Sequence, residues 1–449
     1  MSVKGMRFCF LKMMVVAVIL TSTNISQAVN AAHKETPETI GQAVQDALRY
    51  YPSIKKARAD QYSAEAVLSQ AKGEFYPSVD LNYASGQQSY SSPDTFVGGA
   101  IGGPLGTARL RPLERGLAVK QPLFSGLSSF YLAKQRRSEV DSATYQVRSE
   151  QENIALHASA AYLQVLQANI FIALGQENVA LHKKTRDLIK IQYKGGYGHK
   201  ADLDLAAARL ALAESTLASL EGQKENAVTT YIQIIGHPPS KKLLEPNALH
   251  YCDTCDITAL RGQALRLNPA LKSALSTVEA ASSAVKKAKA NFYPRADLVY
   301  SNSHNNNMSG VAGPVLDQKV LLAVTYNVLN GGVDAAKKKQ AVWQHTSAQE
   351  DREKIELGVL HDLTQAWNNL HVAKNQVKEY KAYVDSMSLT VKGYRAQFKI
   401  GARSLFDVLS VEDELYQARQ NYIATQYNVW LYNYQILAII GVLSHSMLA

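Results

Sequence analysis

The chain repeats itself at a fixed spacing. Residues 47–83 and 264–300 align without a gap at an offset of 217, and 15 of the 37 aligned pairs are identical. They include Pro52/Pro269, Ala71/Ala288, the Phe75-Tyr76-Pro77/Phe292-Tyr293-Pro294 triplet, Asp80/Asp297 and Tyr83/Tyr300. Further along the spacing becomes 205, through Gly196/Gly401, Asp202/Asp407, Ala213/Ala418 and Ile235-Gly236/Ile440-Gly441. A match this dense means two halves built alike, so the chain solves one structural problem twice.

Proline placement shows what is repeated. No proline occurs between Pro122 and Pro238, and none follows Pro314. Both stretches are rich in Ala, Leu, Gln, Glu and Lys, which favour helix. In the first, Ile154, Ala158, Ala161, Val165, Ala168, Ile172, Gly175 and Val179 recur at alternating spacings of four and three. Leu156, Ala160, Leu163, Gln167, Ile170 and Leu174 form a second seam on a neighbouring face. One heptad seam implies one partner helix; two imply a partner on each side. The second stretch has a weaker seam through Leu360, Leu363, Trp367, Leu370, Lys374 and Val377. Glycines break each stretch once, at Gly195-Gly196 and at Gly401, which predicts two helical hairpins. The arm from about Ser128 to Tyr193 then runs ~100 Å, at about 1.5 Å per residue.

Ahead of each long arm the period changes to two. Val79, Leu81 and Tyr83 alternate with Asp80 and Asn82, and Ala296, Leu298 and Tyr300 with Asp297 and Ser301. Second strands are expected at 117–124 and 320–329, with connectors at 84–106 and 301–314. Strands with one apolar and one polar face suit a transmembrane barrel. Four strands cannot close one, and open edges are not tolerated in lipid, so several subunits would have to complete it.

The N-terminus reads as a secretory signal over residues 1–32: Lys4, Arg7 and Lys12 flank the start of an apolar run from Leu11 to Leu20, and Ala28, Ala31 and Ala32 follow. Cys9 precedes the apolar run, so it is not placed to become a lipid-carrying first residue. No other run is expected to cross a bilayer as a helix. The net charge of +10 is thinly spread, with Lys337-Lys338-Lys339 reading as a solvated helix face, and nucleic acid is not an expected partner. Cys252 and Cys255 lie in an exported chain, where a local disulfide is the plainest reading. Zinc needs four ligands, and only His250 joins the two cysteines. No metal or cofactor is expected, and no enzyme motif occurs: Gly98–Gly106 lacks the lysine of a phosphate loop. His157, His182, His345 and His361 read as scattered solvated or lumen-facing helix residues.

These features together resemble the TolC-like outer-membrane channel proteins. The resemblance rests on Ala264 to Leu271, with Tyr51 replacing Asn268 in the first half, and on Phe-Tyr-Pro before each first strand. It rests also on Gln121–Gly126 and Asn327–Gly332 closing each second strand, and on the Gly-x-x-x-x-x-Asp hairpins. It implies a mainly α chain with a transmembrane β-barrel: a homotrimer whose 12-stranded β-barrel in outer-membrane lipid continues as a long α-helical barrel, built from an internal duplication. The first structural repeat would span 33–240, an equatorial connector 241–263, and the second repeat 264–449.

The resemblance also implies a site. The hairpin tips, Gly195, Gly196 and Tyr197 with Ile400, Gly401 and Ala402, would form the periplasmic entrance and contact an adaptor. The entrance bridge maps to Arg403 and Asp202, with Phe398 where the family carries a tyrosine. The entrance ring maps to Asp407, with Ser410 where the family carries a second aspartate. The residue-level alternative is that Asp202 and Asp407 cap the returning helices. The implied function is an exit duct served by a periplasmic adaptor (membrane fusion) protein and an inner-membrane ABC or proton-driven transporter. Type I protein secretion is favoured, because the tips depart from the Val-Gly-Leu pattern linked to drug-pump adaptors. Drug or small-molecule efflux is the alternative, and a poreless periplasmic coiled-coil scaffold or adaptor the different-class one.

Overall fold

The computed structural model describes residues 37–91, 107–246, 256–309 and 311–447. The expected signal segment, the Gly98–Gly106 run, and Cys252 and Cys255 lie outside the described residues. Element lengths match in pairs. Helices α1 (Ile40–Tyr50) and α2 (Pro52–Gly73) have counterparts in α5 (Ile257–Leu267) and α6 (Pro269–Ala290). The long arms α3 (Ser128–Lys194) and α7 (Val333–Lys399) are each 67 residues, and the returning helices α4 (Lys200–Ile235) and α8 (Leu405–Ile440) are each 36. A short α9 (Leu443–Ser446) ends the described chain.

Local chemistry sets these boundaries. Thr39 and Gln42 form a capping box at α1, each side chain bonding the other's backbone N–H. Pro52 and Pro269 occupy first-turn positions, where a missing N–H costs nothing. Asn268 caps α6 through Leu271 N at 2.9 Å, whereas Tyr51 at the matched position makes no side-chain cap.

Each half contributes a β-hairpin. Strands β1 (Ser78–Ser85), β4 (Leu113–Phe124), β5 (Arg295–Asn306) and β6 (Pro314–Thr325) form one antiparallel sheet in the order β1-β4-β5-β6. The first hairpin carries a further two-stranded ladder, β2 (Gln88–Ser91) with β3 (Thr107–Leu110). The strands reach further toward the hairpin loops than expected. Residues 301–306 pair along β5, and β6 starts at Pro314 and stops at Thr325 rather than running 320–329. Ser, Asn and His at 301–306 look like loop by composition, but both neighbouring strands satisfy their backbone groups.

The register separates two faces, because directly paired residues point the same way. Val79, Val119, Tyr300 and Val320 form one row across all four strands, flanked by Leu298 beside Leu322 and by Leu81 beside Leu117. The opposite face carries Asp80, Ala118, Ser301 and Lys319 in one row and Asn82, Gly116, Ser303 and Asp317 in the next. Lys120 and Asp297 pair there at 2.9 Å.

Helix α3 is the central stave. It packs along α2 and then α4, and along α6 and then α8; α7 packs beside α6 and α8. The first seam is buried at Ile154, Ala158, Ala161, Val165 and Gly175, while most of the second is half-buried within one chain. Contrary to expectation, α3 contains an 18-residue window apolar enough to cross a membrane. Less than half of that window is buried, and Tyr162, Leu163 and Leu166 of the same helix belong to the cluster that packs against α1 and the ends of α4 and α8.

This waist is fastened by buried polar groups. Tyr162 Oη donates to Glu38 O at 2.6 Å and accepts from Leu244 N at 3.0 Å. Tyr231 donates to the Glu38 carboxylate, which also accepts from Ser240 N at 3.0 Å. Glu152 on α3 accepts from Leu443 N at 2.8 Å and from Ser444, holding the N-terminus of α9.

Candidate functional site at the hairpin tips

The two long hairpins turn on the same backbone device. Tyr197 N donates to Gln192 O at 3.0 Å and Gly196 N to Tyr193 O at 3.1 Å. In the second hairpin Ala402 N donates to Gln397 O at 2.9 Å and Gly401 N to Phe398 O at 3.0 Å. Both are Schellman closures, which need a left-handed residue just past the helix. Gly196 (φ +82°) and Gly401 (φ +76°) supply it. The side chains at the turns point outward: Tyr197 is 93% exposed and Ile400 79%.

Just inside the turns, Phe398 packs against a small core of Ile189, Ala206, Leu405 and Leu409. A ring with no hydroxyl therefore serves as packing between the hairpins. Arg403 lies with its guanidinium 4.1 Å from the Tyr394 ring centroid, donates to Gln397 Oε1 at 3.0 Å, and stands 4.0 Å from the Asp407 carboxylate. Within the single chain, among the described residues, Arg403 makes no ion pair with Asp202. Asp407 and Ser404 form a capping box, with Asp407 N donating to Ser404 Oγ at 3.1 Å and Ser404 N to Asp407 Oδ2 at 3.4 Å. Asp202 occupies the matching third position of α4, behind His199, which makes no side-chain cap. Ser410 stands one turn past Asp407, on the same side of α8 and half-buried.

A denser polar cluster lies about one to five turns above the tips. Arg209 of α4 pairs with Asp413 of α8 at 2.9 Å. Arg395 of α7 donates from Nε to Glu412 Oε1 of α8 at 2.6 Å. Arg419 of α8 reaches Glu177 of α3 at 3.3 Å. His182 of α3 is 2% exposed, which corrects its reading as a solvated residue; His157 and His361 are exposed as expected. The signal for His182 was in the seam: continuing its alternation past Val179 by three lands on His182, and then on Arg186 and Ile189. Nothing in the sequence paired Arg209 with Asp413, which lie 204 residues apart.

The arrangement places paired charges close to the hairpin tips. Residues 43–237 and 260–442 match the family described as outer membrane efflux protein. The outer membrane efflux protein BepC of Brucella suis is 22% identical over 96% of this chain and 90% of its own length. Outer membrane protein TolC of Escherichia coli is 22% identical over 91% of this chain and 83% of its own. The alkaline protease secretion protein AprF of Pseudomonas aeruginosa is 22% identical over 70% of this chain and 66% of its own. The solved structure of the outer membrane protein VceC from Vibrio cholerae superposes with a TM-score of 0.75 at 16% identity, covering 90% of this chain and 96% of that one. With both halves matched over most of their length, the chain belongs to the outer membrane efflux protein family and resides in the outer membrane.

Proposed function

We propose that three copies of this chain close into a 12-stranded β-barrel continued by a helical barrel reaching into the periplasm, and that the assembly is an export duct. The carrying observation is the sheet. It has an apolar row across four strands, yet β1 and β6 each keep one unpaired edge among the described residues. A bilayer accepts no such edge, so β6 of one copy must pair with β1 of the next. The half-buried second seam of α3 and the exposed Trp343, Leu357 and Leu389 of α7 supply apolar surface for neighbouring staves. The two matched segments of the family support reading the chain as two repeats; we start the second at Ile257, since α5 stands 217 residues after α1.

In this reading the tips are the entrance, Asp407 contributes three carboxylates around one axis, and Arg403 and Asp202 meet between copies. A periplasmic adaptor seats on the tips, and an inner-membrane transporter feeds the duct. The Gly195-Gly196-Tyr197 and Ile400-Gly401-Ala402 turns favour type I protein secretion, and the related AprF is an alkaline protease secretion protein. The name of BepC favours the second reading, efflux of small molecules. Heat-modifiable trimer migration in the outer-membrane fraction, with ion conductance in planar bilayers, is the expected result. A compact monomer that never conducts defeats the reading. Cross-linking in cells separates the two cargoes, by capture of an ATP-driven exporter or of a proton-driven pump.

A further inference from the structure

His182 sits about 18 Å above the tip, at about 1.5 Å per residue along α3, where all four helices of the two hairpins converge. Its Nδ1 is buried and has no hydrogen-bond partner among the described residues, and the same holds for Oε2 of Glu412, itself 4% exposed. The charged groups facing the imidazole are Glu412 and Asp413 from α8 and Arg209 from α4. Arg395 from α7 reaches the cluster through Glu412. On its own helix, Arg186 one turn away stands 2.8 Å from the Asp187 carboxylate, with its buried Nε making no hydrogen bond among the described residues. Beside them a cavity of about 170 Å³ opens between α3, α7 and α8, lined by Asn178, Lys392 and Tyr416 among others. The phenol of Tyr416 is pushed above its ordinary range by burial and stays neutral.

The charges already balance: Arg209 is paired with Asp413, and Arg395 with Glu412. A proton on His182 would add one buried positive charge to a cluster whose two carboxylates already serve Arg209 and Arg395. Such a charge is costly in a packed seam. Burial holds the His182 imidazole below the usual histidine range, with Glu412 and Asp413 opposing that shift only in part. The folded chain thus binds this proton less readily than the unfolded one. The packing is at full strength above the ordinary imidazole pKa of about 6.5, and it is lost as the pH falls through the lower value of His182.

We propose that His182 is a proton-sensitive latch, holding the two hairpins together above the tips at neutral pH and releasing them in acid. Release separates α3 from α8, the helix that carries Asp407. The consequence for flow rests on reading the tips as the duct entrance; the latch itself does not.

Two measurements test the latch, both on the full chain. In hydrogen exchange corrected for intrinsic rate, peptides over 405–418 should lose protection on acidification with a midpoint below about 6.5. His182→Gln, which cannot charge, should show no such step, and Glu412→Gln should move it to lower pH by removing the carboxylate that favours the imidazolium. In planar bilayers with potassium chloride, wild-type conductance should rise about twofold or more between about pH 7.5 and about pH 5, and His182→Gln should not change. A step that persists in His182→Gln, or wild-type exchange that ignores acid, overturns the latch. The wild-type exchange result decides even if the variants fail to assemble. An acid step in exchange from a chain that never conducts would instead defeat the duct and keep the latch.

Discussion

Arg209 of the first hairpin and Asp413 of the second are joined at 2.9 Å, a tie between two helices that return from separate tips. Both side chains are about a quarter to a third exposed, which screens the attraction. A double-mutant cycle of Arg209→Ala and Asp413→Ala should therefore give a coupling of about 0.5–1 kcal/mol in thermal unfolding, falling with added salt. A coupling near zero at low salt would count against the pair.

Asp407 is the third residue of a capping box and, in the proposed duct, would be a ring carboxylate. Asp407→Ala should weaken block of single-channel current by multivalent cations, whereas Asp407→Asn, which keeps an acceptor for the Ser404 N–H, separates cap from ring. If Asp407→Asn blocks as wild type does, the ring charge is not the filter.

Arg403 is fixed by the Tyr394 ring and by Gln397 before any partner copy is considered. If Arg403 bridges to Asp202 of a neighbouring copy as proposed, Arg403→Ser should raise conductance by loosening the entrance. Wild-type conductance in Arg403→Ser would remove that bridge.

The sheet predicts opposite outcomes for adjacent faces. Val320→Arg places a charge in the Val79–Val119–Tyr300 row, where a cation facing lipid at mid-depth costs about 2–4 kcal/mol. Ala323→Arg points to the face of Asp297 and should be borne. The readout is trimer yield in the outer-membrane fraction, with Val320→Arg depleted and Ala323→Arg close to wild type.

Glu152 gathers the Leu443 and Ser444 amides and the Ser444 hydroxyl. Glu152→Ala leaves buried donors unmet, at about 1–3 kcal/mol each. Hydrogen exchange should then rise at 443–447 with the hairpins unchanged.

Much of this fold was legible because it is periodic. Spacings of four and three marked the middle of the long arm α3, from Ile154 to Val179, and Gly196 and Gly401 located both turns, since a left-handed residue closes a helix that way. The strand ends were less legible. Residues 301–306 carry Ser, Asn and His, and only pairing with β4 and β6, which sequence does not display, makes them strand. The tip residues came from a resemblance, and the structure adds their local partners. The cluster of Arg209, Arg395, Glu412 and Asp413 is not legible in the sequence, because its members come from three helices and run from the buried Glu412 to the exposed Arg395. His182 was different: the seam already ran through it, and polarity outweighed position in reading it as solvated.

Gly196 and Gly401 close their hairpins with the same pair of backbone hydrogen bonds, but they display different side chains: Tyr197 stands where the second turn has Ala402. Three chains would therefore offer six seats of one backbone shape and two chemical kinds, alternating round the rim. A partner that grips backbone alone would fill all six; one that needs the Tyr197 ring would fill three. In such an assembly the number of partners seated would turn on residues that differ between two turns of one backbone shape, Tyr197 against Ala402 and Gly195 against Ile400.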